Sequence, residues 1–357
     1  MPAIHQLVAG YNRGDAISNE AVVFRDVFRK WGFASEIYSE GRRIPRDLRT
    51  DAYDVSACRT ACKEDDIVFL HLSIGSIVND VFPELPGKKV ILYHNITPPE
   101  FLAGAQEEIA RNLGWGREQA ERLAGSSTVT MADSAYNARD LENMGHRDVS
   151  VLPLLLNFDQ LRLKPDRGVL RAYNDDLVNI LFVGRCVPNK RIEDLIHAFY
   201  YFQKFVEPRS RLIHVGSFAG LERYHALLLT QINNLELNDV DLIGSTRQEE
   251  LLAYYQLADL FLCMSEHEGF CIPLIESMAL DVPVLAYAAA AIPDTLDGAG
   301  VLFNDKQFDL VAEMMGRLTK DGGLREQVLR GQRERIARYT GRNLEAELRE
   351  HLAPVLG

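Results

Sequence analysis

The chain has 357 residues, 47% of them apolar and 25% charged, which fits a globular protein long enough for two domains. A formal net charge of −12 argues against nucleic acid as a partner and weakens, without excluding, tight docking on an anionic membrane. No run approaches the roughly 20 apolar residues of a membrane span, and no basic-then-apolar leader opens the chain, so a cytoplasmic location is expected, with peripheral contact at the inner membrane face left open.

In chain order, the N-terminal half offers strand-like apolar runs at Ile4–Val8, Ala34–Tyr38, Ile67–Leu70, Val90–Tyr93, Thr128–Ala132 and Val149–Leu152. The first helix is expected from near Ser18 to Trp31, stopped by Gly32. The stretch 157–176, with Pro165, Gly168, Asn174 and no sustained periodicity, reads as a domain boundary. Beyond it, strands are expected at Asn179–Val183, Arg211–Val215, Val240–Ile243, Leu260–Met264, Pro283–Tyr287 and Gly300–Phe303. Helix-periodic segments separate most of them, as where Ile192, Leu195, Ile196, Phe199 and Phe202 form one apolar stripe. Strands alternating with helices imply parallel, doubly wound sheets, and a dozen strands imply two of them. The segment Asn343–Leu356 is amphipathic and helix-like.

The most informative segment is Ser265-Glu266-His267-Glu268-Gly269-Phe270-Cys271-Ile272-Pro273-Leu274-Ile275-Glu276-Ser277-Met278-Ala279. A strand, a glycine turn and a helix start form an anion site, because the first helical N–H groups lack partners. With Glu268 before the helix and Glu276 inside it, a phosphate could lie between two hydroxyl-binding carboxylates, as a nucleotide-sugar requires. A second segment, Phe182-Val183-Gly184-Arg185-Cys186-Val187-Pro188-Asn189-Lys190-Arg191, puts Arg185 and Lys190 at the opening of a helix. Cations are disfavoured there unless something anionic is to be met. His94 stands at the carboxyl end of an expected strand, where ligands bind in open α/β sheets, and His71 ends the strand before it. The first β–α loop carries Gly10, Gly14 and Asp15, which suit either close approach to a ligand or a plain helix cap.

The two carboxylates at Glu-x7-Glu spacing, with Gly-Arg-x4-Lys upstream, resemble the signature of retaining glycosyltransferases of family 4. That resemblance implies the GT-B architecture, two Rossmann-like doubly wound parallel-sheet domains facing a cleft. It places an acceptor-side domain at 1–160, joined by a returning C-terminal helix at 343–357, and a donor-binding domain at 177–342. It implies transfer of a hexose from a UDP- or GDP-sugar, as co-substrate, to a hydroxyl of a saccharide or lipid-linked saccharide in cell-envelope polysaccharide synthesis. In that scheme His94, Arg185, Lys190 and Glu268 are catalytic. Arg185 and Lys190 stabilise the leaving diphosphate, Glu268 orients the sugar, and His94 assists near it. Glu276 holds the ribose, the backbone of Phe270, Cys271 and Ile272 faces the diphosphate, Ile243, Gly244 and Arg247 flank the base, and Gly14, Asp15 and Gly184 complete the donor set.

The sequence departs from the family pattern where Arg191 replaces a usual glycine and where Gly14-Asp15 stands for a Gly-Gly pair. It departs again at Ala288–Ala291, where a glycine pair often precedes Pro-Glu. Asp239-Val240-Asp241 spells the metal signature of another glycosyltransferase fold but opens an apolar strand, so no obligatory metal or cofactor is expected. Cys58 and Cys62, four apart, lack the further His or Cys of a metal site, and five cysteines fit a reducing compartment. The alternatives are a nucleotide-sugar epimerase of the same fold, which needs no acceptor, and a non-catalytic nucleotide-sugar-binding protein. A dehydrogenase would need a Gly-x-Gly-x-x-Gly that Gly10 and Gly14 do not form.

Overall fold

The structure, a computed structural model, describes residues 2–12 and 14–356; Arg13 of the first β–α loop lies outside the described residues. Strands β1 (Ala3–Val8), β2 (Ala34–Ser39), β3 (Ala52–Asp54), β4 (Ile67–Leu72), β5 (Lys88–Tyr93), β6 (Val129–Ala132) and β7 (Ser150–Val151) form one sheet. Its order is β3-β2-β1-β4-β5-β6-β7, and every pair is parallel. Strands β8 (Val178–Val183), β9 (Ser210–Val215), β10 (Val240–Gly244), β11 (Leu260–Cys263), β12 (Val284–Tyr287) and β13 (Val301–Phe303) form the second, ordered β10-β9-β8-β11-β12-β13 and likewise parallel.

A parallel sheet carries helices on both faces, so its inner strands are buried on both sides and read as unbroken apolar runs. Strand β4 shows this, since all six of its residues are buried. His71 is the one strongly polar side chain in that run, and its ring must find partners inside the domain.

The chain divides into two compact units. The first gathers the residues up to Glu100, Glu108–Leu156 and the stretch from Asn343 onward; the second takes Phe101–Glu107 and Asn157–Arg342. Each unit pairs one sheet with its own helices, and together they are the two Rossmann-like domains of the GT-B fold. No helix among the described residues is long and apolar enough to cross a membrane.

The first helix runs Ala16–Lys30, two residues earlier than its periodicity suggests, because Asp15 caps it. One Asp15 carboxylate oxygen accepts from the Ser18 backbone N–H at 2.9 Å and from the Ser18 hydroxyl at 2.7 Å. Gly32, at φ 93°, ends the helix with a Phe33 N–H to Phe28 carbonyl bond of 3.0 Å. Strand β3 escapes sequence reading because three residues with one buried side chain carry no period. The boundary stretch contains a helix, Arg167–Ala172, whose N-terminus Asp166 caps through two backbone bonds.

The C-terminal segment forms two helices, Leu344–His351 and Ala353–Leu356. Leu348, Leu352 and Val355 lie in the same apolar cluster as Ile4, Phe24, Phe69 and Leu92, so the end of the chain completes the core of the first unit. Leu352 is fully buried. Leu352→Ala should therefore cost about 2–5 kcal/mol of first-unit stability, measured by urea unfolding; an unchanged midpoint would mean that these helices merely rest on the domain.

Candidate active site

The second sheet reverses its strand order between β8 and β11, so the connections leaving these neighbours run to opposite faces and leave a crevice at their carboxyl ends. Both informative segments fall there. From β8 the chain passes through 184–191 into the helix Ile192–Tyr201; from β11 it passes through 264–271 into the helix Ile272–Ala279.

Three contacts bind these loops together. The Glu266 N–H donates to the Asn189 carbonyl at 2.9 Å, and the Asn189 amide donates to the His267 carbonyl at 3.0 Å. The third is an ion pair between the Lys190 ammonium and the Glu268 carboxylate. Burial alone would lower the Lys190 pKa, but Glu268 outweighs it and holds the ammonium above its ordinary value. The loop after β12 joins the set through an Ala291 N–H to Glu268 carbonyl bond of 3.2 Å. The sulfurs of Cys263 and Cys271 and a Glu268 oxygen lie within 4.8 Å of one another, a group that could ligate a soft metal ion. The cation that faces Glu268 here is Lys190.

Cys271 takes a left-handed conformation, φ 69°, at the start of its helix, where Pro273 occupies the first turn. The first amides of that helix, Ile272 among them, have no acceptor one turn before them in the helix. The Phe270 carbonyl is fixed by the Thr295 hydroxyl. On the same helix one Glu276 oxygen accepts from the buried Tyr255 hydroxyl at 2.7 Å, and burial raises the Glu276 carboxyl above its usual range despite that bond.

Backbone forms the floor beside these groups. The Gly184 N–H donates to the Val215 carbonyl and the Gly216 N–H to the Gly244 carbonyl, both at 2.9 Å. A Cβ on Gly216 would stand 1.8 Å from the Gly184 carbonyl oxygen, so no side chain fits, and Gly244 adopts φ 80°. Ile243 is partly buried just before it. Arg185 is exposed on the loop after β8. Arg247 binds Glu250 at 2.9 Å and Asp166 at 3.3 Å, so its guanidinium is engaged at the start of its own helix.

In the first unit, Gly14 turns the chain at φ 75° and Asp15 serves as the cap already described. His94 follows β5 and is enclosed, with 2% of its side chain exposed. A chain of bonds fixes its protonation. Gln6 donates its amide to the Ala21 carbonyl at 3.0 Å, leaving its oxygen to accept from His71 Nε2 at 3.0 Å. Burial, reinforced by the charge of His94, keeps His71 neutral well below its ordinary pKa, so His71 Nδ1 is an acceptor for His94 Nε2 at 3.0 Å. His94 Nδ1 faces Asp133 at 3.5 Å, and Glu20 lies 3.6 Å from Nε2. Burial opposes a charged His94, but Asp133 and Glu20 outweigh it and raise the ring's pKa above its ordinary value.

Lys190, Glu268 and the 270–272 turn thus share one crevice, while Glu276 is held from the neighbouring helix by Tyr255. Sequence reading passed over Asn189, Gly216, Tyr255 and Glu20. Gly216, directly after a strand, was the one with a visible signal; Glu20, a carboxylate inside an amphipathic helix, had none.

Glu20 makes a pH prediction. Burial raises its carboxyl from 4.5 to about 7, and the His94 charge only partly opposes this. The fold therefore favours the protonated acid. Its contribution is complete below pH 4.5 and is lost as pH rises through 7, about 3 kcal/mol in all. Urea unfolding of Glu20→Gln against the unsubstituted protein should show the variant gaining relative stability between pH 4.5 and 7.5. A difference independent of pH would return Glu20 to an ordinary carboxylate.

Residues 169–335 match the family described as glycosyl transferases, group 1. Those residues include the crevice described above, with Lys190, Glu268 and Glu276. The serotype-specific mannosyltransferase WbdA of Escherichia coli is 25% identical over 142 residues, 40% of this chain and 17% of WbdA. The alpha-monoglucosyldiacylglycerol synthase of Acholeplasma laidlawii is 30% identical over 173 residues, 46% of this chain and 42% of the synthase. The chain therefore matches less than half the length of either relative. The structure of HepE from Anabaena, solved in complex with UDP and glucose, superposes with a TM-score of 0.72 at 18% identity, covering 99% of this chain and 100% of HepE. That likeness is one of fold.

Proposed function

We propose that the protein is a retaining glycosyltransferase that moves a hexose from a UDP- or GDP-sugar to a hydroxyl of a saccharide or glycolipid acceptor. The observation that carries this reading is the Lys190–Glu268 pair, largely withdrawn from solvent at the switch point of the second sheet and just before a helix whose first amides have no acceptor one turn before them in the helix. A diphosphate carries the charge that Lys190 and those amides attract. When the nucleoside diphosphate departs, negative charge grows on the phosphate nearest the sugar, and Lys190, with Arg185 from the loop after β8, stabilises it. Glu268 is then released to a sugar hydroxyl. Glu276, held by Tyr255, offers its carboxylate to the ribose. Ile243, Gly244 and Arg247 lie on the side of the base, at the end of β10.

In a retaining reaction the acceptor attacks from the face the leaving group vacates, and the departing phosphate oxygen takes the acceptor proton. No protein carboxylate need form a covalent intermediate. The second unit is proposed as the donor side and the first as the acceptor side. There His94 is an enclosed imidazole whose pKa Asp133 and Glu20 raise. Gly14 and Asp15 are proposed to reach the donor from the loop after β1, where Asp15 also caps the first helix. WbdA by name transfers mannose and the Acholeplasma enzyme makes a glucolipid, which supports a hexose donor and an acceptor from envelope or lipid glycans.

Calorimetric titration with UDP, GDP and their sugars, with and without magnesium, tests the donor site. Binding of one nucleotide, independent of metal, is expected. Glu276→Ala should weaken that binding by roughly 1–3 kcal/mol through loss of the ribose hydrogen bonds. Lys190→Ala should cut turnover by on the order of 10²-fold while the protein stays folded. Full activity in both variants would remove the donor site from this crevice, and donor isomerisation without an acceptor would point to an epimerase instead.

A further inference from the structure

The turn that carries Lys190 ends in a residue under backbone strain. Arg191 adopts φ 53° and ψ 51°, the left-handed region in which a side chain is disfavoured, and it does so at the start of the helix Ile192–Tyr201. Two features would argue against arginine here, the conformation and a cation at a helix N-terminus. The side chain shows what offsets them. Arg191 Nε lies 3.1 Å from Asp194 Oδ2 and 3.2 Å from Glu266 Oε1. Those same two oxygens are approached by the Lys306 ammonium, at 2.7 Å from Asp194 and 2.9 Å from Glu266. Lys306, from the segment after β13, also sits 4.6 Å above the ring of Tyr287 at the end of β12. Two cations and two carboxylates thus alternate around a closed ring, and the ring spans the loops after β8, β11 and β13.

Its placement relative to the donor crevice is what gives it a task. Arg191 adjoins Lys190 in the chain, and Glu266 is two residues from Glu268. The loops that meet through Lys190–Glu268 meet a second time through Arg191–Glu266. A nucleotide that draws Lys190 onto its phosphates must break the first of these contacts. The second does not involve Lys190 and can hold the turn in place while the ammonium changes partner.

We propose that Arg191, Glu266, Asp194 and Lys306 form a positioning clasp that keeps the Lys190 turn registered against the Glu268 loop when Lys190 leaves Glu268 for the donor diphosphate. Arg191 is a positioning residue in this scheme and touches no substrate. The inference rests on the donor reading above, and it adds the residues that make Lys190 effective.

Arg191→Gly separates strain from function, because glycine accepts the left-handed backbone while removing the clasp. The melting temperature of this variant should stay within about 2 °C of the unsubstituted protein. Turnover of UDP- or GDP-sugar should fall roughly tenfold, with the donor KM changed less than threefold, and amide hydrogen exchange should quicken in 186–191 and 264–268 together. Lys306→Met, which keeps a chain over Tyr287, should reproduce part of that loss. Arg191→Lys should recover most of it at moderate ionic strength and lose it again in 0.5 M salt. Unchanged exchange in both loops, or faster exchange with turnover intact, would overturn the clasp. Should the unsubstituted protein bind neither UDP nor GDP, the donor reading itself falls and the clasp's role falls with it, whereas normal binding with a silent Arg191→Gly defeats the clasp alone.

Discussion

Everything proposed for this protein turns on a charge that cannot be left alone inside the second domain. The Lys190 ammonium is largely withdrawn from water, where an unpaired charge is strongly disfavoured, and Glu268 is what makes its burial tolerable. The pairing draws two loops together at the one place in the sheet where neighbouring strands send their chains apart. The backbone bonds through Asn189, the left-handed turn at Cys271 and the Tyr255–Glu276 contact are then arranged around that junction. An ion pair of this kind is poorly suited to add stability but well suited to exchange, since a ligand anion can take the place of the carboxylate.

The first domain solves a similar problem differently. A polar residue in the fully buried strand β4 could have been satisfied by backbone alone. Instead His71 is placed between Gln6 and His94, and the hydrogen-bond direction set by Gln6 propagates to His94, which faces Asp133 and Glu20. The result is an enclosed imidazole with a raised pKa at the carboxyl end of a parallel strand, where α/β sheets usually meet their ligands.

Much of this was legible in the chain, for reasons that can be named. Continuous apolar runs such as Ile67–Leu70 and Leu260–Met264 lie at observed strands because two-sided burial leaves little room for polar residues. The segments around Lys190 and Glu268 stood out because glycine, proline and charge at fixed spacing constrain the backbone as well as the chemistry. Strand β3 was not legible, being too short to have a period, and neither was the break of the C-terminal segment into two helices. Arg191 was noticed only as a departure. Its partner Glu266 and the Lys306 that shares that carboxylate are 40 residues apart, and no local pattern announces the contact.

The contact between Gly216 and the Gly184 carbonyl bears on how such a domain could change its preferences. Where main chain packs on main chain, there is no side chain to vary, and single substitutions at Gly216 meet an atom already in the way. Variation beside it is thereby pushed outward, to side chains that are only partly buried, such as Ala288, Ala289 and Ala290 after β12. The floor is fixed by geometry, and the vocabulary of recognition must be written on the walls.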